Sequence, residues 1–127
     1  AKLEPMVKGE GEGSESFDAA KYFAHAGRII QENGADIVKT YYVENFEQVR
    51  NGIQTPIVIA GGKKIPEKAA LQFTEQAIAA GADGVDMGRN IFQAEDPVGM
   101  IQAVTSVVHE GLSSTEAYEN MNQVRKK

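Results

Sequence analysis

One feature constrains this chain more than any other: amphipathic stretches, glycine stops and short apolar runs alternate along most of its length. Ala19, Phe23, Ala26 and Ile30 recur at helical spacing. Asn33-Gly34 ends that helix, because glycine takes the left-handed conformation without a Cβ penalty. Ala35-Asp36-Ile37-Val38-Lys39-Thr40 then reads as a strand, with β-branched residues at 37, 38 and 40. A short helix over 44–51 stops at Gly52, and Pro56-Ile57-Val58-Ile59-Ala60 forms a second strand that stops at Gly61-Gly62. Pro66 stands as a first helical residue ahead of Ala70, Leu71, Thr74, Ala77 and Ile78. Gly81 ends this helix, and Gly84-Val85-Asp86-Met87-Gly88 is the third strand.

Asp96-Pro97 supplies an N-cap and a first-turn proline for a helix whose apolar side is expected at Val98, Ile101, Thr105 and Val108. Ser113-Ser114-Thr115-Glu116 is a capping box for a last helix over 114–127. Its apolar side carries Ala117, Tyr118 and Met121, and its basic end, Arg125-Lys126-Lys127, suits the negative pole of the helix dipole. Helices alternating with apolar strands imply βαβ units and a parallel sheet, so the class is α/β. Gly34-Ala35-Asp36 and Gly81-Ala82-Asp83 repeat the same join between a helix end and a strand start. Such repeats occur in barrels and open sheets alike.

The first sixteen residues differ from the rest. Leu3-Glu4-Pro5-Met6-Val7 reads as a short strand, and Gly9-Glu10-Gly11-Glu12-Gly13-Ser14-Glu15-Ser16 as a mobile acidic loop with no apolar anchor. A phosphate-cradling role for that loop is opposed by its glutamates. Across 127 residues, 13 Lys+Arg against 18 Asp+Glu give a net charge of −5, the wrong balance for a nucleic-acid binder. There is no cysteine, hence no disulfide and no thiolate metal site. With no run of roughly 20 apolar residues and no signal-peptide core, no membrane partner is expected and the default location is cytoplasmic. His25 and His109 lie on helices without a second ligand at suitable spacing, so no metal site is expected.

In α/β folds, ligands gather at the carboxyl ends of strands. Three such ends carry unusual residues here: Lys39-Thr40-Tyr41-Tyr42, Gly61-Gly62-Lys63-Lys64 and Gly88-Arg89-Asn90. Lys39 admits two readings. In a dry interior its amine loses its proton readily and attacks carbonyls; at a strand tip it is a solvated lysine with its stem over its neighbours. Gly61-Gly62 lets backbone amides approach an anion, and Gly88-Arg89-Asn90-Ile91-Phe92 looks like a glycine turn entering a short helix, with Arg89 as a charged donor. The alternative is a pair of tight βα turns with Arg89 in a surface ion pair. An anion site is the preferred reading, because both sites recur on adjacent strands as in barrel enzymes that bind phosphate. Asp86 either points into the pocket and pairs with Lys39 or braces the next loop. Lys63 either adds to the anion attraction or is solvated, and Tyr41 is a further pocket candidate.

The motifs Ile37-Val38-Lys39-Thr40-Tyr41-Tyr42, Pro56-Ile57-Val58-Ile59-Ala60-Gly61-Gly62-Lys63-Lys64 and Gly84-Val85-Asp86-Met87-Gly88-Arg89-Asn90-Ile91-Phe92-Gln93 together resemble the archaeal-type class I (Schiff-base) aldolase family, from about Lys21 to Tyr118. The resemblance implies the C-terminal half, about strands 5–8, of a TIM (β/α)8 barrel, with 1–127 as a single partial-barrel domain. It implies a Schiff base between Lys39 and a phosphorylated keto substrate, with Gly61, Gly62, Gly88 and Arg89 on the phosphate. No cofactor is implied, although the thiolase-like members of the family use coenzyme A as co-substrate. Family aldolases acting on sugar bisphosphates carry an acid–base tyrosine at the end of strand five. Leu3-Glu4-Pro5-Met6-Val7-Lys8 has none, which puts the thiolase-like reading ahead. A full barrel takes about 250 residues. A half-barrel leaves sheet edges exposed, so pairing with a copy of itself or with an N-terminal half is expected, unless the chain is a fragment of a longer protein; a non-catalytic phosphate-binding or assembly module is the alternative function.

Overall fold

A computed structural model describes residues 18–127. The strand and acidic loop expected over 1–16, and the missing tyrosine of strand five, lie outside the described residues. The elements run α1 (Ala19–Glu32), β1 (Val38–Thr40), α2 (Phe46–Gly52), β2 (Ile57–Ala60), α3 (Glu67–Ala79), β3 (Gly84–Asp86), α4 (Arg89–Phe92), α5 (Pro97–His109) and α6 (Ser114–Arg125). The three strands form one parallel sheet in the order β1-β2-β3.

The repeated Gly-Ala-Asp segment is a repeated backbone device. After α1, the Gly34 and Ala35 amides donate to Gln31 O (3.0 Å) and Ile30 O (3.2 Å). After α3, the Gly81 and Ala82 amides donate to Ile78 O and Ala77 O, both at 3.0 Å. Both are Schellman closures, and both glycines take the positive φ such a closure needs, 99° and 107°. The residues spent on the closure cannot also pair in the sheet, so β1 starts at Val38 rather than at Ala35. Pro66 is the N-cap of α3 and not its first helical residue.

Alternation along the strands sorts the sheet faces. Val38, Thr40, Ile57 and Ile59 are buried under the helices, while Lys39, Val58, Ala60 and Asp86 stand on the opposite face. Ile57 and Ile59 are fully buried, each stabilising the fold by about 1.5–3 kcal/mol relative to exposure. One core cluster joins α1 and α2 to β1 and β2 through Phe23, Phe46, Val49 and Ile53; a second joins α3, α5 and α6 through Leu71, Met100, Val107 and Met121. The caps form as the sequence requires: Asp96 Oδ1 accepts from the Gly99 amide at 3.0 Å, and Ser113 and Glu116 exchange both bonds of a capping box.

The orientation of α5 differs from the expectation. Val98, Ile101 and Thr105 are exposed, Val98 by 67% and Ile101 by 52%; Met100, Ala103, Val104 and Val107 face the core instead. The helix is apolar on more than one side, and packing against α3 and α6 chose between those sides. Its second apolar side borders an open groove of about 390 Å³ beside β3, one of the two edge strands of the described sheet. Among the described residues no helix is long and apolar enough to cross a membrane.

Candidate active site

Parallel register sets the site. Lys39 aligns with Val58 and Gly84, and Ala60 aligns with Asp86 two residues nearer the carboxyl ends of the strands. Lys39, the middle residue of β1, therefore has to reach across β2, about 9.5 Å at the usual strand spacing, to meet a group on β3. It does so: Nζ lies 2.5 Å from Asp86 Oδ2. The dry interior considered for Lys39 does not surround it. Its side chain keeps 29% exposure, because the sheet face on which it stands is left open by the described elements.

A cleft of about 290 Å³ at this end of the sheet is lined by Lys39, Tyr41, Gly61, Gly62, Asp86, Gly88 and Arg89, together with Ala60 and Phe92. The three strand ends thus meet in one place. Lys63 is the exception among the candidate residues. It does not line the cleft, and its carbonyl is turned to Asn90. Tyr41 contributes to the cleft from the edge of the core, its ring centroid 6.2 Å from that of Phe23.

The two glycine turns differ in what they require. A Cβ on Gly61 would lie 2.7 Å from Met87 Cγ and 3.1 Å from Met87 Cα, so only glycine allows β2 and β3 to end this close together. Gly62 has φ +70° with open space around it. Gly88 has φ −76°, a value any residue adopts, and a Cβ there would touch only the Phe92 ring at 3.6 Å. The helix entered at Gly88 is one turn long, too short to sum much of a dipole. Donors for an anion are therefore loop amides and Arg89, which is exposed and has no ion-pair partner among the described residues.

Two supports were missed in the sequence. Asn90 is buried and spans the two turns: Oδ1 accepts from the Ile65 amide at 2.9 Å, and Nδ2 donates to Gly61 O and Lys63 O at 3.2 Å each. The signal available was a carboxamide directly after Gly-Arg, a polar group that burial obliges to find partners. Arg125, expected only to complement a dipole, forks onto Glu67 at 2.9 and 3.0 Å and reaches Asp96 at 3.4 Å. Its guanidinium holds the Glu67 carboxyl below the ordinary glutamate value. Asp96 is lowered too, first by the Gly99 amide and then by Arg125. Glu67 also accepts from the Glu95 amide at 3.2 Å, which fastens the segment after α4 to the start of α3. His25 and His109 are both exposed.

Parallel strands with helices on one face make this an α/β protein whose fold matches part of the length of aldolase (β/α)8 barrels. The chain belongs to the DeoC/LacD family of aldolases, whose family model matches residues 2–94. It is 53% identical over 116 residues to the 3-hydroxy-5-phosphonooxypentane-2,4-dione thiolases of Salmonella paratyphi A and Photorhabdus laumondii, and 52% identical to that of Escherichia coli K12. Each match takes in 91% of this chain and 40% of the relative, so the chain spans two fifths of the length of these curated proteins. Among solved structures it is similar to an archaeal fructose 1,6-bisphosphate aldolase, with a TM-score of 0.65 and 32% identity over 71% of this chain and 38% of that one. A Schiff-base-forming fructose-1,6-bisphosphate aldolase matches with a TM-score of 0.66 and 31% identity over 72% and 38%.

Proposed function

We propose that this chain carries the Schiff-base and phosphate-binding part of an aldolase- or thiolase-type active site acting on a phosphorylated ketone. The observation that carries the proposal is the single cleft shared by Lys39, Asp86, the Gly61-Gly62 turn and Arg89. In this reading Asp86 accepts a proton from the Lys39 ammonium, and the free amine adds to the substrate ketone. The proton returns to the carbinolamine hydroxyl, which leaves as water and gives the iminium. In the aldolase form the Cα–Cβ bond next to the iminium carbon then breaks: a base of the remaining barrel takes the proton of the β-hydroxyl, the β-carbon leaves as a carbonyl, and the electron pair neutralises the iminium as an enamine. Gly62, Gly88 and Arg89 hold the phosphate, and Gly61, whose amide is already spent on Asp86 O at 3.0 Å, gives the turn its close approach, so that the ester anchors the ketone over Lys39. Tyr41 walls the cleft, and Lys63 adds long-range attraction for the anion from outside it.

The names of the relatives favour thiolase chemistry, in which coenzyme A accepts the acyl fragment and no resident cofactor or metal is needed. In this reading the acid–base groups of the remaining barrel strands are supplied by the N-terminal half of a full barrel. The setting is the cytoplasm. The test is borohydride trapping with a phosphorylated ketone followed by peptide mass spectrometry. The expected result is a reduced adduct on Lys39 that disappears in Lys39→Ala.

One observation favours a second reading, a non-catalytic phosphate-binding or assembly module: Lys39 keeps 29% exposure on an open sheet face. Binding of a phosphate ester with no trapped adduct would select that reading.

A further inference from the structure

The Asn90 carboxamide uses all three of its hydrogen bonds on the loop after β2, although the residue itself belongs to the turn after β3. It is 3% exposed, so these bonds form without competition from solvent. Their geometry constrains the loop. In a trans peptide the C=O and the following N–H point in opposite directions, and the described chain contains no cis peptide. Turning the Gly61 and Lys63 carbonyls toward Asn90 therefore turns the Gly62 and Lys64 amides away from it. Neither amide has a hydrogen-bond partner among the described residues; Gly62 lines the cleft, whereas Lys64 borders a separate one with Pro66 and Glu67. The Ile65 amide, by contrast, is consumed by Asn90 Oδ1.

We propose that Asn90 is a positioning residue that clasps the two glycine turns together and aims the Gly62 amide at the anion. It sets the donor without touching the ligand. The inference rests on the phosphate-binding reading of the cleft, and goes beyond it by making the donor set of one loop depend on a side chain of the other. A consequence is that the two turns act as one unit: an anion on Arg89 and Gly88 meets an amide already oriented, with little reorganisation left to do.

The test is a titration of the isotope-labelled 127-residue chain with inorganic phosphate, followed by amide resonances in the wild type and in Asn90→Ala. In the wild type, the Gly62 amide should shift together with Gly88 and Arg89, and the Asn90 side-chain NH2 should exchange slowly. In Asn90→Ala the affinity should fall about tenfold, with the Gly62 shift lost and those at Gly88 and Arg89 kept. A general loss of structure would instead disturb all three. Unchanged affinity in Asn90→Ala, or wild-type shifts confined to Gly88 and Arg89, would overturn the inference and leave the phosphate site standing. Should the variant not fold, the wild-type shift pattern and the Asn90 exchange rate decide the matter alone. No phosphate-induced shift anywhere in the wild type would overturn the phosphate reading itself, and the inference with it.

Discussion

Lys39 Nζ and Asp86 Oδ2 lie 2.5 Å apart across the full width of the described sheet, one on each outer strand. The pair links the nucleophile of the proposed chemistry to the only carboxylate that lines its cleft among the described residues. Asp86 side-chain exposure is 56%, so exchanging it for a neutral isostere leaves the core untouched. Asp86→Asn should slow adduct formation on Lys39 by about a hundredfold, the low end of what a positioned acid–base group contributes. The measurement is the rate of borohydride-trapped adduct, with circular dichroism as the check on folding. An unchanged rate removes Asp86 from the reaction.

Arg89 is exposed on the cleft with no ion-pair partner among the described residues, so its replacement breaks no structural contact of that kind. Arg89→Ala should weaken a phosphorylated ketone by roughly tenfold to a hundredfold, as expected for a charge-assisted hydrogen bond. The unphosphorylated ketone should bind as before. Calorimetry on both ligands checks this, and equal losses would take Arg89 out of the anion site.

Gly61 and Gly62 should separate in their response to alanine. At Gly61 the new methyl meets Met87, including its backbone, and the ends of β2 and β3 must move apart; about 1–3 kcal/mol of stability should be lost. At Gly62 the methyl meets nothing and only the positive φ is penalised, by about 1–2 kcal/mol. Chemical denaturation reads the stabilities. The sharper expectation is that Gly61→Ala also displaces the Asn90 clasp, and so loses phosphate binding in addition to stability.

The clip of Arg125 on Glu67 makes a pH prediction. Hydrogen bonds from Arg125 lower the Glu67 pKa in the folded chain below the ordinary 4.5. A carboxyl depressed on folding contributes stability that is fully present above its unfolded value and disappears as pH falls through its folded value. Glu67→Gln should therefore be less stable than the wild type at pH 7, and the difference should shrink as pH falls below about 4.5 and close below the lowered folded-state value. Denaturation midpoints across pH 3–7 check this; a difference that stays constant across that range contradicts it.

The groove beside β3 predicts self-association. Gly84, Val85, Met87 and Ile91 line it together with Ile101 and Val108 of α5, and β3 offers an unpaired edge within the described sheet. Sedimentation should show concentration-dependent dimers or larger species, reduced by Ile101→Lys on the exposed side of α5. A monomer at every concentration would count against pairing.

What could be read in the sequence, and what could not, follows the range of the forces involved. The Schellman closures at Gly34 and Gly81, the Asp96 cap and the Ser113–Glu116 box depend on residues no more than five positions apart, so their spelling was sufficient. The alternation of those closures with apolar runs likewise determined a parallel α/β sheet. Composition could not choose the buried side of α5, because Val98 and Ile101 are as apolar as Val104 and Val107; only docking against α3 and α6 made the choice. Lys39 and Asp86 are 47 positions apart, and Asn90 stands 25–29 positions from the loop it holds. Strand register decides such pairings, since a slip of one residue would send Lys39 to the helix-covered face and open the pair. The sequence by itself determined which elements form and that lysine and glycines fall at strand ends; the tertiary structure alone decided which of them meet, because side chains so far apart in the chain come into contact only through the register of the sheet.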